Sequence, residues 1–222
     1  MSSVPPSPAA PASPVYTPAH FAVRDPALLS ALVTNHAFGQ LISTAPALAV
    51  SHVPFLLDAE DNRLVCHLAA ANHQAQALEA AGADGAEVLC IFQGPHGYVS
   101  PRWYAKKPAV PTWNYMAVHV QGRARTTRDP ARLRAIVDRL TRIYEPAEGG
   151  WRLDDEPESF TAGMLRGIVG IEIAITRMDG KFKLSQNRPN DLPLVIEALR
   201  AEGGEANLAL ADAMQAAMKP AG

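Results

Sequence analysis

Residues 39–69 read GQLISTAPALAVSHVPFLLDAEDNRLVCHLA, and this stretch decides the class of fold. Its apolar and β-branched residues stand in short runs that polar or turn-forming residues separate, which is typical of β-strands. The pattern predicts strands over GQLISTA, LAVSHVPFLLD and RLVCHLA. The polar turn at Glu60, Asp61 and Asn62 predicts that the last two strands form an antiparallel hairpin.

The residues that follow extend the same pattern. GPHG at 94–97 and MDGK at 178–181 are turn signals, and Gly122 predicts a bulge or bend between two strands. The residues after the second turn predict an extended arm. In chain order, these strands and the arm are EVLCIFQG, YVSPRWY, PTWNYMAVHVQ, GRARTTR, IVGIEIAITR and the arm FKLSQNR.

Helix signals lie before, between and after the strands. Asp25 and Asp129 each place an N-cap acceptor before a proline, and Asn72 can cap a short helix that Gly82 ends. We therefore predict a mainly β fold with peripheral helices (α+β), built around one closed or partly closed antiparallel β-barrel. A doubly wound parallel sheet is disfavoured because the sequence has no GxGxxG motif. Further helices are predicted over about 159–166, 191–201 and 205–218.

Composition excludes several classes of protein. The chain has 222 residues and a formal net charge of -2, which removes the bulk attraction that drives nonspecific binding to nucleic acid. No apolar run reaches the roughly 18 residues of a membrane helix. Residues 1–14, MSSVPPSPAAPASP, predict a disordered tail before a single domain over 15–222, and they lack the features of a secretory signal. We expect a cytoplasmic protein in which Cys66 and Cys90 are buried, reduced thiols.

The middle of the chain is unusually cationic. From Val88 to Arg128 there is no Asp or Glu, while six Lys and Arg residues and five Trp and Tyr residues fall in this stretch. Cations beside flat rings suit a phosphorylated flavin, or equally the stacked bases and phosphates of nucleic acid. The alternative is a solvated basic face with aromatic residues in the core or in a dimer interface.

Other catalytic and metal-binding patterns are weak. Five histidines lie on or beside predicted strands, but their spacing matches no metal-binding signature, and a strand histidine is more often a hydrogen-bonded residue of the core or of a pocket. No metal site is predicted. The sequence also lacks the GxSxG motif of a nucleophilic serine, so the catalytic residues stay unknown.

Three longer strings carry a family resemblance. They are LVCHLAAANHQ at 64–74, YVSPRWYAKKPAVPTWNYMAVHVQG at 98–122 and GIEIAITRMDGKFKLSQNR at 170–188. Together they resemble the PaiB-type family of FMN-binding split-barrel proteins, which are often described as negative transcriptional regulators. The resemblance implies an antiparallel split β-barrel of the FMN-binding type, a homodimer, and FMN in a groove between the subunits.

The resemblance also implies positions for the cofactor. The strand from Ser51 to Pro54 would lie along the edge of the isoalloxazine ring, and the start of the short helix would face the phosphate, as a helix N-terminus favours an anion. The arm would reach across from the partner subunit. The residues assigned in this way are Ser51, His52, Val53, Pro54, His67, Leu68, Asn72, His73, Gln74, Thr112, Trp113, Asn114, Lys183, Gln186 and Arg188.

One segment departs from the family pattern. Members of the family usually read HLARANP, whereas this chain has HLAAANH at 67–73, with Ala70 in place of the arginine and His73 in place of the proline. The loss of a guanidinium removes a charge-assisted hydrogen bond to phosphate, worth about 1.5 to 3 kcal/mol. We therefore expect weak FMN binding, with His73 a partial substitute below neutral pH.

Three functions remain open from the sequence. The first is a flavin-binding regulator or sensor; direct DNA binding by it has no support from composition, since no helix-turn-helix is legible. The second is a flavin-dependent oxidoreductase acting on a small molecule, or a haem-handling enzyme, with substrate beside His52, Tyr98, Trp113 or Tyr115. The third is a dimeric barrel that has lost its cofactor and serves as an interaction module.

Overall fold

The computed structural model describes residues 15–218. Within this range all eight strands belong to one antiparallel sheet with the order β3-β2-β6-β7-β8-β5-β4, and β1 pairs with β8 beside that path. The disordered tail predicted for residues 1–14 lies outside the described residues, and the single domain predicted for 15–222 stays a prediction. The strands are β1 (Ala22–Val23), β2 (Phe38–Ser43), β3 (Ala49–Pro54), β4 (Leu56–Asp58), β5 (Arg63–Ala69), β6 (Ala86–Val99), β7 (Thr112–Thr127) and β8 (Ile168–Lys183).

Six α-helices pack around the sheet. Asp25, Asn72 and Asp129 cap the first three helices through side-chain oxygens that accept backbone N–H bonds, as the sequence predicts. None of the described helices has the length and hydropathy of a membrane span. The helices are α1 (Pro26–Asn35), α2 (His73–Ala80), α3 (Pro130–Tyr144), α4 (Glu158–Arg166), α5 (Leu192–Glu202) and α6 (Glu205–Ala217).

The sheet curls into a half-barrel because its two edge strands follow one another in the chain. β3 pairs with β2 at one edge and β4 pairs with β5 at the other, yet only Phe55 separates β3 from β4. Phe55 is buried against Phe92, and its backbone N–H donates to the carbonyl of Ala37. A single residue can bridge the two edges only if the sheet closes on itself. The single strand predicted over LAVSHVPFLLD is therefore wrong, while the hairpin around Glu60–Asn62 is confirmed between β4 and β5.

Two predicted turns are strand interiors. β6 runs through 94–97 with a register shift between Gln93 and His96, so the glycines and the proline form a bulge rather than a turn. β8 runs through 178–181, where Gly180 leaves room for α1, since a Cβ there would lie 2.3 Å from Leu29. The irregularity predicted at Gly122 is confirmed by a register shift between β7 and β8.

The extended arm is also absent. β8 ends at Lys183, and residues 184–191 fold back as a series of bends and turns in which Ser185 has a positive φ of 67°. α5 and α6 then pack against each other, and α6 lies on β6, where Leu210 fills the space above Gly97. The core lies between the curled sheet and the helices α1, α2, α5 and α6.

Candidate functional site

Asn72 joins the start of α2 to an edge strand of the sheet. Its side-chain Oδ1 accepts the N–H of Gln74 at 2.8 Å, which caps the helix, and its Nδ2 donates to the hydroxyl of Ser51 at 3.0 Å. His73 is the first residue of α2 and is exposed. N–H groups in the first turn of a helix have no partner within the helix, so this corner presents donors to solvent. We call the predicted residues of this region the β3–α2 group; they are Ser51, His52, Val53, Pro54, His67, Leu68, Asn72, His73 and Gln74.

Gln74 fastens α2 to the hairpin of β2 and β3. Its side chain is buried, and its amide lies 3.0 Å from the carbonyl of Leu41, 3.1 Å from the hydroxyl of Ser43 and 3.2 Å from the carbonyl of Ala49. The Oε1 atom of Gln74 has no partner among the described residues. Gln74 therefore positions the helix start from inside the protein, and its side chain does not reach the surface.

The remaining members of the β3–α2 group divide between surface and core. His52 is exposed on β3, with its ring centroid 6.3 Å from that of Phe38 on β2. Val53 is buried, and Leu68 is packed in the core. Burial lowers the pKa of His67, whose Nδ1 has no partner among the described residues. Pro54 is half-buried at the end of β3.

Aromatic and basic side chains meet at the start of β7. The exposed rings of Trp113 and Tyr98 stand edge to face with centroids 6.2 Å apart. The Lys183 ammonium donates to the hydroxyl of Thr112 at 2.6 Å and to the carbonyl of Trp113 at 2.5 Å. Burial, and then the neighbouring charge of Lys181, lower the pKa of Lys183. We call the predicted residues of this region the β7 group; they are Thr112, Trp113, Asn114, Lys183, Gln186 and Arg188.

Two members of the β7 group support the local structure. Asn114 is fully buried and donates to the hydroxyl of Ser185 at 2.8 Å, while its Oδ1 has no partner among the described residues. The side chain of Gln186 closes its own turn: it accepts the N–H of Leu184 at 2.7 Å and donates to the carbonyl of Phe182 at 2.6 Å. These contacts fix the path of the chain after β8.

Arg188 lies among residues that the sequence analysis did not assign to the site. Its guanidinium carbon is 4.4 Å from the ring centroid of Tyr104, and it pairs with Asp191 at 3.2 Å. Asp191 also accepts the N–H of Ala105 at 2.9 Å, so this carboxylate anchors the loop between β6 and β7 instead of capping α5. Tyr104 ends the SPRWY segment of a string that carries the family resemblance, whereas the sequence predicts Asp191 only as the start of a helix.

The strand register shows how far apart the two groups lie in one chain. His52 stands opposite Gln40 on β2, Gln40 opposite Ile91 on β6, and Ile91 opposite His119 on β7. Trp113 comes six residues before His119, about 20 Å along β7, and three strand spacings, about 14 Å along the sheet, separate β7 from β3. Measured along the sheet, His52 and Trp113 are therefore well separated within one subunit.

The acid-free stretch does not form one cationic surface. Arg123 and Arg128 near the end of β7 pair with Glu87 and Glu79, whereas Arg102, Lys106 and Lys107 lie in the loop before its start. β7 is 16 residues long, so the cations near its two ends lie far apart. The described His, Cys, Asp and Glu side chains form no group of three that could hold a metal ion.

The donors and rings present fit the two ends of a flavin nucleotide. The corner of Ser51, Asn72 and the first turn of α2 offers hydroxyl and N–H donors of the kind that bind a phosphate. Tyr98 and Trp113 offer exposed aromatic surface to a planar ring. Ala70 at the turn before α2 supplies no positive charge.

Comparison with known sequences supports this interpretation. A family model described as "Putative FMN-binding domain" matches residues 15–177. The chain is 30% identical over 209 residues to "Protease synthase and sporulation protein PAI 2" of Bacillus subtilis, covering 92% of this chain and 99% of the relative. It is 34% identical over 212 residues to an uncharacterized protein of Aspergillus fumigatus, covering 75% of this chain and 81% of that protein.

Comparison with solved structures establishes the fold. The flavocytochrome Anf3 from Azotobacter vinelandii matches with a TM-score of 0.58 at 16% identity, over 73% of this chain and 69% of that one. The FAD and heme binding protein from Mycobacterium smegmatis matches with a TM-score of 0.53 at 15% identity, over 83% of this chain and 80% of that one. The predicted antiparallel split barrel is confirmed, and FMN is the cofactor that the family description names. The chain thus belongs to the family of FMN-binding split-barrel proteins that includes the PAI 2 protein.

Proposed function

We propose that the protein is a homodimeric FMN-dependent sensor in which the flavin lies between the β3–α2 group of one subunit and the β7 group of its partner. One observation carries this proposal. Each group fits one end of FMN, but within a single chain about 20 Å along β7 separates Trp113 from the level of His52. A second copy of the chain supplies the missing half of each site, as twofold symmetry allows.

The phosphate would bind at the start of α2. The hydroxyl of Ser51 and the first-turn N–H groups of the helix donate to its oxygens, and Asn72 fixes their relative position. The buried side chain of Gln74 fixes that turn by donating to the carbonyl of Leu41 on β2. Because Ala70 contributes no guanidinium, the phosphate gains less charge-assisted binding here, and we expect modest affinity for FMN.

The ring would lie against the β7 group of the partner. Trp113 and Tyr98 exclude water from one face or edge, and Lys183 holds the backbone of Trp113 in place. Bound flavin supplies one- and two-electron chemistry, which the protein itself does not have. Arg188 lies over the ring of Tyr104 and adds a positive charge to the β7 group.

Exposed apolar side chains near both groups support association of two subunits. Leu48, Val50 and Phe38 are exposed at the edge formed by β2 and β3. Val110 and Trp113 are exposed at the start of β7. Large apolar residues exposed together are typical of surfaces that bind a partner.

Two arginines of α3 are paired with carboxylates of their own subunit. This pairing favours a regulatory role that works through the flavin over one that works through direct contact with DNA. Arg132 pairs with Glu172 at 3.0 Å, and Arg139 pairs with Asp58 at 3.2 Å. Arginines held by carboxylates on their own subunit are not free to contact phosphates. A sensor whose conformation changes with the redox state of its flavin fits this surface better than a repressor that binds operator DNA directly.

An oxidoreductase acting on a small molecule is the second candidate. Tyr115 stands opposite the exposed His96 across β6 and β7, and Lys181 lies 5.5 Å from the Tyr115 ring. These side chains could move a proton at a substrate beside the ring. Rapid FMN-dependent oxidation of NAD(P)H would favour this function, and its absence would favour the sensor.

Subunit mixing tests the proposed site. Asn72→Asp damages the β3–α2 group and Lys183→Met damages the β7 group, so each variant alone should bind FMN poorly. After unfolding and refolding together, mixed dimers should contain one intact site, and about a quarter of all sites should regain wild-type affinity. Absorbance and fluorescence of bound FMN measure the recovery.

Two results would contradict the proposal. If the mixture binds no better than the separate variants, the site lies within one subunit. If purified wild-type protein shows no flavin spectrum and takes up no added FMN, the cofactor-free interaction module is the better description. Refolded wild-type protein is the control for losses during mixing.

A further inference from the structure

A cleft between α3 and α4 shares no residue with either flavin-binding group. Its volume is about 650 Å³, which is within the range of sites for small organic molecules. Its walls are the facing sides of the two helices, and it opens to solvent between them. The residues that line it are Arg128, Pro130, Ala131, Leu133, Arg134, Glu158, Ala162, Leu165 and Arg166.

The sequence of the two helices explains why space remains between them. Ala131 and Ala162 put methyl groups where larger side chains would fill the gap. Leu133 and Leu165 form an apolar floor and are only 2% and 7% exposed. The apolar surface that is open to solvent in the cleft comes from Ala131 and Ala162, which are not buried and lie above these two leucines. A ligand with an apolar body would gain free energy by covering this surface.

Three arginines and Glu158 stand at the rim of the cleft, and among the described residues Arg166 is the one arginine of the three without a carboxylate partner. Arg128 makes a two-point contact with Glu79, at 2.7 and 2.9 Å. Arg134 pairs with Asp154 and with Glu158. Arg166 is exposed and makes no ion pair or side-chain hydrogen bond with any residue between 15 and 218 that is shown by the structure.

We propose that this cleft binds a small organic monoanion with an apolar body, of the class of medium-chain acyl carboxylates. The carboxylate would take a two-point contact from the Arg166 guanidinium, whose planar fork matches it. The acyl chain of the ligand would lie along Ala131 and Ala162, above Leu133 and Leu165. A phosphate ester is disfavoured because a dianion calls for more than one free cation, and carboxylates of the protein already engage Arg128 and Arg134.

Calorimetric titration with decanoate tests the proposal on the full chain saturated with FMN, so that the flavin site is not available. We expect one decanoate per subunit, with binding that weakens as salt rises. Decan-1-ol has the same chain without the charge and should bind at least about tenfold more weakly. Repeating the titration without FMN separates this site from the flavin site, since the proposed cleft should bind decanoate equally in both states.

Variants assign the binding to the cleft. Arg166→Gln should weaken decanoate binding at least about tenfold, because the neutral amide keeps the size but not the charge. Arg125→Gln is the matched control, since Arg125 is also exposed but lies on β7 outside the cleft, and it should bind as the wild type does. Ala162→Phe should abolish binding by filling the space. Unchanged binding by Arg166→Gln, or decan-1-ol binding as tightly as decanoate, would overturn the proposal.

Discussion

The side-chain amide of Asn72 lies 3.0 Å from the hydroxyl oxygen of Ser51, 21 residues earlier in the chain. Asn72 follows β5 and Ser51 lies on β3, so this hydrogen bond closes a corner of the half-barrel as well as shaping the start of α2. One asparagine thus performs two tasks that a substitution can separate. Its Oδ1 caps the helix, and its Nδ2 holds the strand.

Asn72→Asp should separate stability from cofactor binding. Aspartate keeps an acceptor for the N–H of Gln74 but loses the donor to Ser51, so the free energy of unfolding should fall by about 1 kcal/mol at most. The added negative charge faces the phosphate, and the dissociation constant for FMN should rise at least about tenfold. Urea unfolding and FMN fluorescence titration measure the two effects. Asp129→Asn, at the cap of α3, is the control and should leave the FMN affinity unchanged. If Asn72→Asp binds FMN as tightly as the wild type does, the phosphate does not bind at this corner.

Acidification should destabilise the protein below about pH 6.5. Burial lowers the pKa of His67 and of His119 from the ordinary value of 6.5, so the unfolded chain takes up these protons first. The stability that the neutral rings provide is complete above pH 6.5 and is lost as pH falls through the lowered values. Urea unfolding at pH 7.5 and pH 5.5 should show this loss.

The histidine variants show which ring is responsible. His67→Gln should reduce the difference in unfolding free energy between the two pH values, because it removes one of the two buried rings. A pH dependence that is the same in His67→Gln and in the wild type would show that His67 does not contribute to it.

Gly122→Ala should lower the free energy of unfolding by about 1 to 3 kcal/mol. A Cβ at this position would lie 2.5 Å from the carbonyl oxygen of Ala174 and 2.5 Å from a methyl of Ile173, so the register shift between β7 and β8 leaves no room for it. Gly163→Ala in α4 is the matched control, because its Cβ would meet its nearest neighbour only at 3.7 Å. The control should gain up to about 1 kcal/mol from helix propensity. An unchanged free energy of unfolding in Gly122→Ala would mean that β7 and β8 can move apart to accommodate the methyl group.

The two thiols should react only when the chain unfolds. Cys66 and Cys90 are fully buried, and burial raises the pKa of each thiol well above its ordinary value, so little thiolate exists at pH 8. A thiol reagent should modify two cysteines per chain in urea and none in buffer on the time scale of minutes. Rapid modification of folded protein would show that the barrel opens locally.

The sequence predicts the strands better than their limits. Short runs of apolar and β-branched residues located β2, β5 and both halves of β7, since strands that pack on the core require such residues. It failed at 94–97 and 178–181, where glycine and proline serve a bulge and a close helix contact that depend on distant parts of the chain. Pro54 marks the end of β3 just before Phe55, but the sequence near the bend does not show that β3 and β4 pair with opposite edges of the sheet.

The candidate site shows a similar division. Family resemblance selected both groups of residues, but it did not separate those that face a ligand from those that support the fold. Gln74 and Asn114 are buried polar residues whose partners come from distant strands and helices. A polar residue in an apolar strand or helix looks the same in sequence whether its hydrogen bonds go to a cofactor or to the protein. Asp191 was missed because its partner Ala105 is 86 residues away.

The position of β8 in the sheet has a consequence for how the protein is made. β8 pairs with β1, β5 and β7, which lie far apart in the sequence. None of these three strands can complete its pairing before residues 168–183 are available. During translation, β5 and β7 leave the ribosome with one edge each unpaired, and the barrel can close only after residues 168–183 have been synthesised. Contacts of such wide separation make folding slow. Nascent chains truncated before residue 168 should therefore depend on chaperones until the last long strand is available.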